Sequence, residues 1–266
     1  MKFKYKKIFK KTFIASSLAV LAGCASNVDS TKHAEWGYVG AEGPEHWGEL
    51  SSSYKQCDNG KQQSPINILT TTVAKTQNKA EKIRLDYHLH INSILNNGHT
   101  IQIQFKPGSY LDIGKEKYEL KQMHFHAPSE NFLDGKEFPF EAHFVNISKD
   151  GKIAVLALFY EYNKGKDSSF IKEIWQHIPK KVNTTNEFDF TVHHDDNPIP
   201  NGHHSFYEFT GSLTTPPCTE GVKWVVLKQK NYITKEQVKI FKDTLHFDNN
   251  RPLQKTDNRK ILLEEE

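Results

Sequence analysis

The chain has 266 residues, of which 25% are charged and 36% hydrophobic, with a formal charge of +3. That length supports one substantial core, and the charge balance lacks the basic excess that a nucleic-acid binder needs. The exclusion is firmer for the mature chain: residues 1–23 hold six Lys and no acid, so without them the formal charge is −3.

In chain order, residues 1–23 read as a signal peptide. A basic start precedes an apolar run, Phe13 to Ala22, too short to span a bilayer with margin. Leu21-Ala22-Gly23-Cys24 resembles a bacterial lipoprotein signal, which implies an exported chain, at the periplasm or cell surface, with a lipid on Cys24. An ordinary secretion signal with an incidental Cys is the alternative. Residues 24–35 are small and polar and read as a tether. Lipidation of Cys24 leaves Cys57 and Cys218 as either a disulfide or two free thiols, and spacing alone does not decide between them.

One domain is expected over 36–266. The aromatic and Gly-rich run from Trp36 to Trp47 reads as an ordered N-terminal segment. Strands are predicted at His99–Phe105, Tyr118–His126, Phe140–Ile147, Ile153–Tyr160 and Val222–Lys228. The first alternates Ile101, Ile103 and Phe105 with Gln102 and Gln104. The fourth is a nearly continuous apolar run, as expected for a strand covered on both faces. Two short helices are predicted, Ser168–His177 and Thr234–Leu245, the second opening with a Thr-x-x-Gln capping spacing. Glu264–Glu266 reads as a solvated end. His193-His194-Asp195-Asp196 and His203-His204 lie in a Pro-, Asn- and Gly-rich stretch and read as exposed loop histidines.

Chemistry concentrates in two of these strands. His124 and His126 alternate, so they share a face and can converge on one metal ion. His143, on the next strand, can reach the same point. Three neutral His ligands with a fourth position open describe a catalytic zinc site rather than a structural one. Gln122 and Glu141 each sit two residues before a candidate ligand, on its face, where they can accept from its second ring nitrogen. A His-x-His pair alone is weak evidence, and the chain has a second one in His88-Leu89-His90.

Several motifs then resemble, in order, those of the α-class carbonic anhydrases. They are Trp36-Gly37-Tyr38, Gly43-Pro44-Glu45-His46-Trp47, Gln63-Ser64-Pro65-Ile66-Asn67-Ile68, Asn96-Asn97-Gly98-His99, Gln122-x-His-x-His126, Ser129-Glu130, Glu141-x-His143, Gly211-Ser212-Leu213-Thr214-Thr215-Pro216-Pro217 and Asn250-Arg251-Pro252. The resemblance runs from Trp36 to about Arg259. It implies a mainly β fold: one domain on a large twisted mixed, mostly antiparallel sheet with short peripheral helices. It also implies reversible hydration of carbon dioxide to bicarbonate, by attack of zinc-bound hydroxide on CO2. His₃ zinc sites are known from carbonic anhydrases themselves, so ligand set and family are one observation, not two.

The resemblance assigns Zn²⁺ to His124, His126 and His143. Thr214 and Glu130 would orient the nucleophile and His99 would shuttle the proton. Val145, Val155, Leu213 and Trp224 would form the apolar substrate wall, with Thr215 and Gln102 on its polar side. Bacterial members commonly carry Cys at 57 and 218, which favours the disulfide. Two positions depart from the usual pattern: Asn131 stands where His is usual and Phe209 where Tyr is frequent, which implies a substituted network behind the ligands. The partners implied are CO2 and bicarbonate, with no nucleic acid, membrane contact only through Cys24, and a homodimer left open. The rival readings are a catalytically silent module of the same fold and a cupin-type enzyme that would use Glu130 as a ligand.

Overall fold

The computed structural model describes residues 35–75, 82–163, 165–200 and 204–265. The leader with Cys24, the tether before Glu35, and His203 lie outside the described residues. Among the described residues, no helix is long and apolar enough to cross a membrane.

The ten strands of the main path are β1 Ala74–Lys75, β2 His90–Asn96, β3 Ile101–Phe105, β4 Glu116–His126, β5 Phe140–Ser148, β6 Ile153–Tyr162, β7 Thr184–Thr191, β8 Ser205–Ser212, β9 Glu220–Leu227 and β10 Leu262–Glu265. Their order across the sheet is β7-β2-β3-β4-β5-β6-β9-β8-β10-β1. Three short strands, Ile83–Asp86, Tyr110–Ile113 and Asn231–Ile233, pair at its sides. Most neighbours run antiparallel, while β6–β9 and β10–β1 are parallel. The sheet is therefore mixed and mostly antiparallel, as the motifs imply.

β6 shows why its sequence is apolar throughout. Ala154, Leu156, Leu158 and Tyr160 enter one core, while Val155, Ala157 and Phe159 enter a second on the opposite face. Alternate side chains of one strand thus serve two layers. The first core is roofed by α1 (Ser169–Trp175) and α2 (Lys235–Leu245), which bury Phe170, Ile174, Trp175, Val238 and Phe241. α2 begins with the expected capping box between Thr234 and Gln237. Trp47 is fully buried, and its indole N–H donates to the carbonyls of Gly37 and Glu42 at 2.8 and 3.0 Å, which orders the N-terminal segment.

One expectation is overturned. Glu264 and Glu265 are not a loose end but part of β10, where they pair with Phe206 and Ser205 while Glu265 stays exposed; Glu266 lies outside the described residues. Glu264 Oε1 also accepts from the Ile83 N–H at 3.0 Å. Backbone pairing at a sheet margin does not require apolar side chains, so the acidic run concealed the strand. The predicted strand at His99 also begins later, at Ile101. Asn97 Oδ1 takes the N–H groups of His99 and Thr100 at 2.9 and 2.8 Å, and Gly98 sits at φ 84°, so a turn occupies those residues.

Candidate metal centre

A β-bulge sets the aim of the histidines. Tyr118 and Leu120 of β4 point into the first core, and so do Met123 and Phe125. Strict alternation cannot put residues 120 and 123 on one face. The register against β5 slips between Leu120 and Gln122, and the extra residue turns Gln122, His124 and His126 to the other side. His143 lies directly opposite His124. One ligand atom from each of the three rings lies within 4.8 Å of the others.

Two of the remaining ring nitrogens are hydrogen-bonded, and the third, His143 Nε2, lies close to a carboxylate without a hydrogen bond. His124 Nδ1–H donates to Gln122 Oε1 at 2.9 Å, and His126 Nδ1–H donates to the Asn249 carbonyl at 2.7 Å. Those bonds leave both Nε2 lone pairs facing inward. His143 is turned the other way: its Nε2 stands 3.0 Å from Glu141 Oε1, which leaves Nδ1 for the centre. Burial lowers all three rings. His126 falls to about 4, while His124 and His143 fall well below the usual imidazole value and are pushed further by neighbouring rings. His126 Nε2 is buried with no hydrogen-bond partner, which is costly unless something else takes its lone pair. Among the described residues the group holds three nitrogen donors and no fourth ligand, with Glu130 Oε2 3.4 Å from His126 Nε2 and 3.8 Å from His143 Nδ1. Such a donor set fits zinc in an open site.

The carboxylates behind the rings are fully buried. Glu141 accepts at Oε2 from the N–H groups of Glu130 and Asn131, at 2.7 and 2.9 Å, and at Oε1 from Asn131 Nδ2 at 2.8 Å. Burial lifts its carboxyl to about 7 against the pull of those donors. Asn131 thus occupies the departure from the motif as a working donor. Phe209, the other departure, stacks on Trp224 with ring centroids 6.0 Å apart. Glu130 accepts at Oε1 from the Arg251 N–H at 2.9 Å. Burial pushes Glu130 well above the ordinary carboxyl range, while contact with the Thr214 side chain and the Arg251 N–H favours its charged form.

Four residues of the expected apolar wall, Val145, Val155, Leu213 and Trp224, belong to one hydrophobic cluster. Val145 and Val155 are paired across β5 and β6, and Val155 and Trp224 across β6 and β9. Leu213 packs against the same cluster. Gln102 is the β3 partner of His124, and Thr215 follows Thr214 in the loop after β8. His99 is half-buried, its ring stacked on Trp36 at 3.9 Å between centroids, and burial lowers its pKa. Cys57 and Cys218 form a disulfide with Cα atoms 5.0 Å apart. His193 and His194 are exposed and lie outside the three-histidine group, as expected of loop residues.

Two functional residues escaped the sequence reading. Asn249 holds His126 through a backbone carbonyl, which no side-chain pattern announces. Its side chain accepts from the Ala127 N–H at 2.9 Å and donates to the Phe125 carbonyl at 2.8 Å. Arg251 is buried and donates to Gln63 Oε1 and the carbonyls of Ser64 and Cys57, at 2.8, 2.8 and 2.7 Å. The motif Asn250-Arg251-Pro252 marked the region but not this role.

The family model described as eukaryotic-type carbonic anhydrase matches residues 42–265. A carbonic anhydrase of Pectobacterium carotovorum is 38% identical over 246 residues, 92% of this chain and 98% of its own length. One of Neisseria gonorrhoeae is 38% identical over 260 residues, 96% of this chain and 98% of its own. The solved α-carbonic anhydrase of Thermovibrio ammonificans, in complex with the inhibitor sulfanilamide, superposes with a TM-score of 0.79 at 38% identity. It covers 86% of this chain and 99% of its own.

Proposed function

This chain belongs to the eukaryotic-type (α) carbonic anhydrase family and is an enzyme of that family; on that premise we propose how its residues hydrate CO2. His124, His126 and His143 would hold zinc, and His99 would export the proton. The observation that carries this reading is the convergence of three imidazoles, His126 and His143 buried and His124 partly so, with ligand atoms within 4.8 Å of one another beside an apolar wall.

When bound, zinc supplies a Lewis acid that makes water a nucleophile near neutral pH, as is already known for carbonic anhydrases. The chain does the rest. Gln122, the Asn249 carbonyl and Glu141 fix the ring orientations, so the three lone pairs meet with little reorganisation. Arg251 N–H occupies Glu130 Oε1, leaving Oε2 to accept from the Thr214 hydroxyl. Thr214 Oγ1 is then an acceptor for the proton of the attacking group and selects ligands that can donate one. Val145, Val155, Leu213 and Trp224 offer CO2 a surface without hydrogen-bonding groups. Gln102 and Thr215 face it from the polar side. A shuttle must take and release a proton near neutrality, and the lowered pKa of His99 favours release.

Export belongs to the same proposal, with residues 1–23 as the signal and Cys24 as the lipid anchor. The leader sequence supports it, and the Cys57–Cys218 disulfide suits an oxidising compartment.

The two rivals fare worse. A silent module has no use for Thr214 and Glu130 placed together behind three intact ligands. In the cupin reading Glu130 is a ligand, whereas here Oε1 accepts from the Arg251 N–H, and the residue is not in the three-histidine group although Oε2 lies 3.4 Å from His126 Nε2. The family model over 42–265 also counts against a cupin. The test is His143→Ala. Two remaining ligands do not hold an open site, so zinc content and nearly all hydration activity should disappear. Full zinc occupancy with near-normal turnover contradicts the assignment.

A further inference from the structure

We propose that Asn131 is a positioning residue, whose side-chain amide holds the Glu141 carboxylate in register with His143. The proposal rests on the zinc reading above.

Asn131 is fully buried and uses both ends of its amide. Nδ2 donates to Glu141 Oε1 at 2.8 Å, and Oδ1 accepts from the Ile66 N–H at 3.2 Å. The other carboxylate oxygen, Oε2, is closed on by two consecutive backbone donors, Glu130 N and Asn131 N. The two ends of the carboxylate are therefore held differently. Oε2 is anchored by the chain itself, whatever side chain stands at 131. Oε1 lies 3.0 Å from His143 Nε2 and accepts from Asn131 Nδ2 at 2.8 Å.

The final torsion of a Glu side chain is broad and weakly restrained. Anchored at Oε2 alone, the carboxylate can swing about that point and carry Oε1 out of line with the imidazole. The Nδ2 bond removes this freedom. The Ile66 bond fixes the amide in turn, from a segment that supplies no ligand. It leads into Asn67–Ile68, which pairs in parallel with Phe132–Leu133 on the far side of Asn131. The loop 129–138 is closed independently: Ser129 Oγ donates to the Asn131 carbonyl and accepts from the Phe138 N–H, both at 2.9 Å.

That separation supplies the control. Asn131→Leu removes the donor to Glu141 at similar volume. Asn131→Ala does so by leaving space, and serves where Leu fails to fold. Ser129→Ala loosens the same loop without touching Glu141. The measurement is the rate at which zinc-loaded full-length protein releases zinc to an excess of chelator, with the melting temperature of each metal-free variant alongside.

Partners of a ligand's second nitrogen are worth about 10–100-fold in metal affinity. Asn131 acts through such a partner, so release should quicken roughly tenfold, at the low end of that range. Ser129→Ala should lower the melting temperature while leaving release near the wild-type rate. Asn131→His, whose ring can both donate and accept, should restore slow release. Release from both Asn131→Leu and Asn131→Ala at the wild-type rate overturns the proposal alone. So does equal acceleration by Ser129→Ala at a matched loss of melting temperature. A wild-type chain that holds no zinc overturns the zinc reading and the proposal together.

Discussion

Each histidine of the centre has a different neighbour: His124 donates to a carboxamide, His126 donates to a backbone carbonyl, and His143 Nε2 lies 3.0 Å from a carboxylate. At this scale the sequence was unevenly legible. Gln122 and Glu141 were found because they sit two residues before their partners on the same strand. Asn249 was not, because it acts through its carbonyl from 123 residues away. His99 was placed at a strand edge, but its neighbour Trp36 stacks on it from the far N-terminal segment. The lowered pKa of His99 leads to a kinetic expectation. His99→Ala should lower kcat more than kcat/KM, because proton export follows attack on CO2. Imidazole buffer should restore much of the loss. A kcat that is unchanged, or a loss that imidazole does not repair, removes His99 from the route.

Among the elements, period and apolar content located β4, β5, β6 and β9, and capping chemistry located α2. Two of the strands missed have wet or acidic faces: β7 is partly or fully exposed along its length, and β10 carries Glu264 and Glu265. β2 and β8 are mostly buried and were missed as well, their polar residues (Asn92, Ser93, Glu208, Thr210) interrupting the apolar pattern. The bulge at residues 120–122 was also invisible. It depends on a mismatch with β5 that neither strand states alone, yet it decides which side the histidines face. The helices offer a test of packing without chemistry. Thr234 Oγ1 accepts from the Gln237 N–H at 3.2 Å, and its loss in Thr234→Ala should cost about 1 kcal/mol. Gln237 does more. Its amide also bridges the Ser168 N–H and carbonyl at 3.1 and 2.8 Å, tying the start of α1 to α2. Gln237→Ala strands buried polar groups, so roughly 2–3 kcal/mol is expected. Denaturant unfolding should rank Gln237→Ala below Thr234→Ala with zinc content unchanged in both. The reverse order contradicts the bridging role.

Across the whole molecule, the disulfide ties the N-terminal segment to the loop after β8. Cys218 N–H donates to the Thr215 carbonyl at 2.9 Å, and Arg251 spans from the Cys57 carbonyl to Glu130. The cysteines are 161 residues apart. Chain entropy alone gives such a closure about 5 kcal/mol, an upper figure because native strain and denatured-state structure reduce it. Reduction should therefore lower the melting temperature clearly and leave zinc bound, since no ligand lies on either cysteine-bearing segment. Loss of zinc on mild reduction, before unfolding, contradicts this division between scaffold and centre.

The central claim is that catalysis resides in a single zinc ion held by His124, His126 and His143. The direct measurement is stopped-flow CO2 hydration by purified protein, stripped of metal and then titrated with zinc. The account predicts that activity vanishes on stripping and returns in proportion to added zinc, with a break at one ion per chain. Hydration that persists in the metal-free protein, or that stays absent at full zinc occupancy, would contradict it.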